Sequence, residues 1–79
     1  MAYQFSAKLR NGFSTSLRVV IEPWATEHWL SPEESCEVRA LSENAQPYIE
    51  MEVSEYGAIF WVEGQGSIYE YWQSGVLIE

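Results

Sequence analysis

Hydrophobic and polar residues alternate along the first part of the chain. In residues 3–10 the apolar side chains occupy the odd positions and the polar ones the even positions, and a second alternation covers residues 17–22. Alternation with a period of two predicts β-strands that each bury one face. Because Asn11-Gly12 tolerates positive φ, the two strands are expected to pair as a hairpin, and Pro23 is expected to end the second one.

The second half of the chain carries the same signal in shorter pieces. Residues 48–53 alternate, and residues 58–62 form an apolar run typical of a central strand buried on both faces. Gly64-Gln65-Gly66 predicts a hairpin turn before another extended segment, residues 67–72, and a last strand follows at 76–78. We predict a mainly β fold, a small antiparallel β-sandwich or partly open barrel of about six or seven short strands.

Residues 31–45 carry two conflicting signals. Ser31 and Pro32, followed by Glu34, resemble the start of a helix, with Ser as the N-cap and Pro at the first helical position. The alternation over residues 36–40 favours a strand instead. We predict a strand, and one short helix within residues 31–45 is the alternative.

One stretch of the chain resembles a known group of proteins. A predicted strand ends in Glu22-Pro23-Trp24, and Pro32-Glu33-Glu34 leads into the next one. Over about residues 13–41 the sequence resembles small bacterial mainly-β proteins with a Glu-Pro-Trp strand end followed by a Pro-Gly-Glu turn. The resemblance implies β architecture and carries no known activity. The chain departs from the group at Glu33, which stands where the turn glycine would be.

Length and composition predict one domain, residues 1–79. Of these 79 residues 47% are hydrophobic and 15% aromatic, which suffices for one core without a metal or a disulfide. The chain has a single cysteine, Cys36, and no segment resembling a signal peptide or long enough to cross a bilayer. We therefore expect a soluble cytoplasmic protein, with Cys36 as a small core residue.

Charge is distributed unevenly along the chain. All four basic residues lie in residues 1–39 together with five glutamates, whereas residues 40–79 hold seven glutamates and no Lys or Arg. This balance disfavours direct binding of nucleic acid, because such binding depends on basic side chains that displace phosphate counterions. It favours a protein partner with a basic or mixed surface, and no membrane contact is expected.

Residues suited to catalysis or metal binding are few. His28, the only histidine, could act as a general base with Glu22 or Glu27, but Glu27 would point to the opposite face of a strand. The ligand spacings typical of zinc and calcium sites are absent, and glutamates around Cys36 disfavour a thiolate. We predict no enzyme activity, no cofactor and no metal, and a small enzyme that uses His28 with a glutamate is the alternative.

Aromatic and acidic side chains are the strongest candidates for binding. On an extended segment Tyr69 and Tyr71 share the face opposite Trp72, so at least one aromatic set is expected to meet solvent, whereas Trp61 is expected in the core. The candidate binding residues are Trp24, Trp29, Tyr69, Tyr71, Trp72, Glu50, Glu52, Glu55 and Glu70.

These observations favour a non-catalytic protein-interaction module that binds through an aromatic patch rimmed by glutamates. Two other hypotheses stay open. Glu50 and Glu52 on a rigid sheet could imitate the phosphates of nucleic acid, as in a phage or mobile-element inhibitor (anti-CRISPR-like) that blocks a basic groove. Exposed Trp and Tyr rings could instead bind a carbohydrate or a small ligand. Exposed aromatic edges also suggest a homodimer.

Overall fold

The computed structural model describes residues 1–79 as eight β-strands with no helix. The strands are β1 (Tyr3–Arg10), β2 (Leu17–Glu22), β3 (Thr26–Leu30), β4 (Ser35–Ser42), β5 (Tyr48–Ser54), β6 (Gly57–Glu63), β7 (Ile68–Gln73) and β8 (Val76–Leu77). The predicted mainly β fold is confirmed. The chain contains no helix that could cross a membrane.

The strands form two four-stranded sheets that pack face to face. Sheet I has the strand order β1-β4-β7-β8 and is antiparallel throughout. Sheet II has the order β3-β2-β6-β5, in which β2 and β6 pair in parallel and the other neighbours are antiparallel. Two such sheets that share one core make an open sandwich, as the alternation predicts.

The predicted hairpin between β1 and β2 is wrong. β1 pairs with β4 along its whole length, and β2 lies in the other sheet. Gly64-Gln65-Gly66 likewise connects β6 in sheet II with β7 in sheet I, so it is not the expected hairpin turn. Both segments are crossings between sheets. Alternation with a period of two shows which residues of a strand face inward. It does not show which other strand pairs with it, because the alternation is the same for every possible neighbour.

Asn11 holds the crossing from β1 to β2 in place. Its side chain is fully buried, and the amide nitrogen donates to the carbonyl oxygens of Thr15 and Leu30 at 2.9 and 3.0 Å. Its Oδ1 accepts the backbone N–H of Phe13 at 2.9 Å. A buried amide needs such partners. Here the hydrogen bonds of Asn11 stabilise a longer loop, and the two-residue turn expected at Asn11-Gly12 does not form.

Residues 31–45 contain β4, so the strand prediction is confirmed and the helix alternative is wrong. The capping contact exists nevertheless, because the Glu34 carboxylate accepts the backbone N–H of Ser31 at 2.9 Å. Glu33 has a φ of 71°, which lies outside the right-handed helical region, so no helix continues from this turn. β4 then pairs with β1 on one side and β7 on the other, and this pairing outweighs the local helix signal.

The core lies between the inner faces of the two sheets. Its buried members are Leu17, Val19, Ile21, Leu30, Cys36, Val38, Ala40, Phe60, Val62 and Tyr71. Cys36 is thus in the core, as predicted. Trp61, also predicted there, lies on the outer face of β6 opposite Glu50, and its indole N–H donates to Glu52 at 3.1 Å. The apolar run over residues 58–62 buries only alternate side chains because β6 has no layer packed over its outer face.

The two long sides of the sandwich are closed differently. On the side of β3 and β7, the Gln73 side-chain amide donates to the Trp29 carbonyl oxygen at 3.1 Å and so joins the sheets. On the opposite side, β1 and β5 are the last strands of their sheets and have no backbone pairing with each other. The Gln46 side chain, which donates to the Gln4 carbonyl oxygen at 2.8 Å, links the sheets there.

Candidate binding surface

An exposed aromatic groove lies on the outer face of sheet II. Phe13, Trp29 and Tyr56 are 61%, 54% and 74% exposed, and they surround a cavity of about 380 Å³ beside Arg18. These four residues are termed the aromatic groove. Trp29 on β3 is the register partner of Arg18 on β2, whereas Phe13 and Tyr56 come from the loops before β2 and before β6.

Local backbone contacts position the aromatic rings. Leu30 is buried, so its neighbour Trp29 points outward from β3. The Tyr56 backbone N–H donates to Ser54 Oγ at 3.1 Å in the turn between β5 and β6. Gly57 follows with a φ of 130°, and a Cβ there would lie 2.3 Å from the Arg18 carbonyl oxygen. The turn can therefore lie against β2 only because residue 57 is glycine.

The groove has an acidic rim. Arg18 Nε donates to Glu27 Oε2, and this hydrogen bond lowers the pKa of the Glu27 carboxyl. Because Arg18 is already paired, it leaves little free positive charge in the groove. Glu55 lines the cavity from the turn before Tyr56. The surface therefore offers aromatic rings with carboxylates beside them.

Sheet II carries five glutamates on its outer face. Arg18 is the only basic residue of that face. Its glutamates are Glu22, Glu27, Glu50, Glu52 and Glu63. The predicted pair Glu50 and Glu52 does share this face, as the strand alternation requires.

Two of the predicted binding residues lie on the opposite side of the molecule, on the outer face of sheet I. The Trp72 indole N–H donates to Glu70 at 3.1 Å, and the Arg39 guanidinium carbon lies 4.5 Å from the centroid of the Trp72 ring. Lys8 and Arg10 border the same region, which forms a cavity of about 510 Å³. Trp72 and Glu70 therefore do not combine with Trp29 and Glu55 into one patch.

The predicted binding role of Tyr71 is wrong, because its side chain is fully buried in the core. Tyr69 shares the inner face of β7, and its hydroxyl lies 2.9 Å from the Thr26 hydroxyl. Trp24 packs on Tyr69 with ring centroids 4.5 Å apart, at the end of the sandwich. The alternation correctly grouped the two tyrosines, but the face that meets solvent is the one with Trp72.

His28 meets a carboxylate that the sequence did not suggest. Its Nε2 lies 2.8 Å from Oε1 of Glu79, which also accepts the Tyr69 hydroxyl at 2.7 Å. Burial acts to raise the pKa of Glu79, but the hydrogen bonds from Tyr69 and His28 outweigh it, so the pKa is lowered. The His28 ring stacks on Tyr71 with centroids 3.8 Å apart.

An imidazole beside a carboxylate is a pairing that can move protons, provided that a substrate can reach it. Neither His28 nor Glu79 lines either of the two cavities described above. The cluster instead joins β3 of sheet II to β7 of sheet I. No group of three His, Cys or Glu side chains in the chain is arranged to hold a metal ion. Burial, reinforced by the nearby Glu34 carboxylate, raises the pKa of the Cys36 thiol to about 11.

Sequence reasoning identified Trp29 and Glu55 and missed Phe13 and Tyr56. Both missed residues lie in loops, where periodicity says nothing about orientation. The usable signal is an aromatic residue beside a turn glycine, as in Gly12-Phe13 and Tyr56-Gly57, because such positions are exposed. Compared with known proteins, the chain matches no family model, no curated protein and no solved structure.

Proposed function

We propose that this protein is a non-catalytic interaction module that binds a protein partner through the aromatic groove. The supporting observation is that three aromatic side chains, each more than half exposed, converge on one cavity. Apolar surface left in water costs about 25 cal/mol per Å², and burial against a partner regains that free energy. Clustered Trp and Tyr side chains are the residues that most often dominate binding energy at interfaces.

The chemistry of the groove favours an apolar side chain of the partner flanked by Lys or Arg. The apolar part would fill the space between Phe13, Trp29 and Tyr56, and the faces of the rings would also attract a cation. Glu55 at the rim would bind the flanking basic group, since Glu27 is already paired with Arg18. The net charge of −8 adds long-range attraction for a partner with a basic or mixed surface.

We also propose a reducing, cytoplasmic setting in a bacterial or phage-infected cell. Cys36 is buried and free, which suits a compartment without disulfides. The positive φ of Glu33 is the conformation that a turn glycine adopts, and it supports the resemblance over residues 13–41 to small bacterial β proteins.

The test is affinity capture of partners from the source cells with the intact protein and matched variants. Trp29→Ala and Tyr56→Ala are each expected to weaken capture about tenfold or more, as removal of a central aromatic contact does. Tyr48→Ala is the control, because Tyr48 is also an exposed tyrosine of sheet II but lies outside the groove. A partner that is lost with Tyr48→Ala and retained by both groove variants would exclude the proposal.

A second candidate function is inhibition by imitation of nucleic acid. It is favoured by the five glutamates on the outer face of sheet II, where only Arg18 offsets them. Carboxylates on such a rigid surface could occupy a basic nucleic-acid channel. We expect the Glu50→Gln/Glu52→Gln double variant to weaken binding to such a channel, and rising salt to weaken it steeply. Binding that does not change with salt contradicts this candidate.

A further inference from the structure

Inward-facing apolar side chains are exposed along the side formed by β1 and β5, where the two strands approach each other without backbone pairing. Phe5 faces inward opposite Ala40, and Met51 and Val53 face inward on β5, yet their exposed fractions are 39%, 39% and 72%. Inward-facing apolar residues at these levels of exposure lack a covering layer. Phe5, Met51 and Val53, with the unpaired backbone edges of β1 and β5, are termed the open seam.

The opposite side also has two free strand edges, β3 and β8, and the exposed Val76 and Leu77, but side chains bridge the sheets there. There His28, Tyr69 and Glu79 form a hydrogen-bonded bridge between the sheets, and Gln73 adds a further link. Only the open seam has basic residues on one free edge and glutamates on the other, because β3 and β8 contain no Lys or Arg. Free edges present unpaired N–H and C=O groups, which readily pair with another strand.

The two strand edges beside the open seam carry opposite charges. Lys8 and Arg10 are exposed on the outer face of β1, and Glu50 and Glu52 are exposed on the outer face of β5. Neither Lys8 nor Glu50 takes part in any of the salt bridges of the chain. Arg10 has only a long contact of 3.8 Å, with Glu33 in a loop.

We propose that a second copy of this chain covers the open seam, with β1 of each copy beside β5 of the other. A two-fold axis that runs along the seam, parallel to the strands, produces this arrangement. Lys8 and Arg10 of each copy then lie next to Glu50 and Glu52 of the other copy. A two-fold axis perpendicular to the sheets would instead place β5 beside β5, with its glutamates facing their own copies. Like charges on adjacent strands are destabilising, so the charge pattern selects the first arrangement.

Exchange of charges between the two edges tests this arrangement in the full chain. Lys8→Glu/Arg10→Glu and Glu50→Lys/Glu52→Lys are each expected to raise the dimer dissociation constant about tenfold or more, because each places like charges together. The four substitutions combined should restore the wild-type value. Mass is measured by light scattering against the 9.1 kDa chain, and thermal melts check that each variant is folded.

A pair of valine substitutions tests the apolar part of the open seam. Val53→Lys should give a folded monomer, and Val76→Lys, at a valine of β8 that is 59% exposed and far from the seam, should remain dimeric. The proposal is overturned if the wild type is monomeric at millimolar concentration, or if its mass exceeds that of a dimer. It is also overturned if neither half of the charge exchange weakens the dimer.

Discussion

His28 and Glu79 stand 51 positions apart in the sequence, and the fold brings Nε2 of one within 2.8 Å of Oε1 of the other. The contact spans the two sheets, and the Tyr69 hydroxyl reinforces it. It therefore works as a bridge at one side of the sandwich. The strength of this bridge depends on the charge of the Glu79 carboxylate, so we expect its contribution to stability to vary with pH.

Glu79→Gln should lower stability at pH 7 by about 1 kcal/mol, a value reduced for the partial exposure of the group. The pKa of Glu79 is lowered in the folded chain, so its contribution is present above the ordinary carboxyl pKa and is lost as pH falls through the lowered value. The difference between wild type and variant should accordingly shrink in acid. Urea unfolding at pH 7 and pH 3 measures it.

Glu55→Gln is the control for that series, because Glu55 accepts no hydrogen bond from another element and its substitution should not change stability at either pH. A Glu79→Gln variant whose loss of stability is the same at both pH values would show that the charge of Glu79 is unimportant to the bridge.

Glu33→Gly should stabilise the fold by about 0.5–1 kcal/mol, because Glu33 has a φ of 71° and side chains are strained there. The long, exposed contact between Glu33 and Arg10 contributes too little to offset the gain. Glu33→Ala removes the same carboxylate but keeps the strained backbone, so it should show no gain. The comparison by urea denaturation separates backbone strain from charge.

Gly57→Ala should destabilise the chain by about 3 kcal/mol or more, since the new Cβ would lie 2.3 Å from the Arg18 carbonyl oxygen at a φ of 130°. Partner binding should fall as well, because Tyr56 would move with the turn. Gly12→Ala is the control, as a Cβ there has no atom within 4 Å. Equal melting temperatures for the two variants would contradict the described turn.

Phe60→Ala and Trp61→Ala should differ sharply although the residues are neighbours. Phe60 is fully buried, and its truncation is expected to cost about 3–5 kcal/mol. Trp61 lies on the outer face with a hydrogen bond to Glu52, so its truncation should cost about 1 kcal/mol. Chemical denaturation of both variants checks the register of β6. A greater loss of stability for Trp61→Ala than for Phe60→Ala would contradict the orientation of β6 described above.

The sequence predicts which side chains of a strand point into the core far better than it predicts which strands lie side by side. Leu30 and Trp29 show why: a strand alternates its side chains, so a buried Leu predicts an exposed neighbour with no knowledge of the rest of the fold. The partner of β1 could not be found in this way, because β2 and β4 both alternate and either could lie beside it. The buried amide of Asn11 holds the loop that separates the two strands, and one of its bonds reaches the Leu30 carbonyl oxygen, which only the fold brings near.

The candidate site was predicted in part for a related reason. Trp29 lies on a strand, where periodicity applies, whereas Phe13 and Tyr56 lie in loops, where it does not. The contact between His28 and Glu79 was beyond sequence reasoning, because no local pattern links residues so far apart. Trp61 shows the opposite error: an apolar run suggested burial on both faces, but the outer face of sheet II has no layer over it.

The parallel pairing of β2 with β6 has a consequence for how the chain acquires its shape. Two parallel strands cannot be joined by a tight turn. The segment from β3 to β5 lies between β2 and β6 in the sequence, so their pairing closes a long loop of chain. Each sheet draws strands from both halves of the polypeptide, so neither half contains a complete sheet. Such distant pairings are slow to form, and we expect folding on the order of milliseconds to seconds.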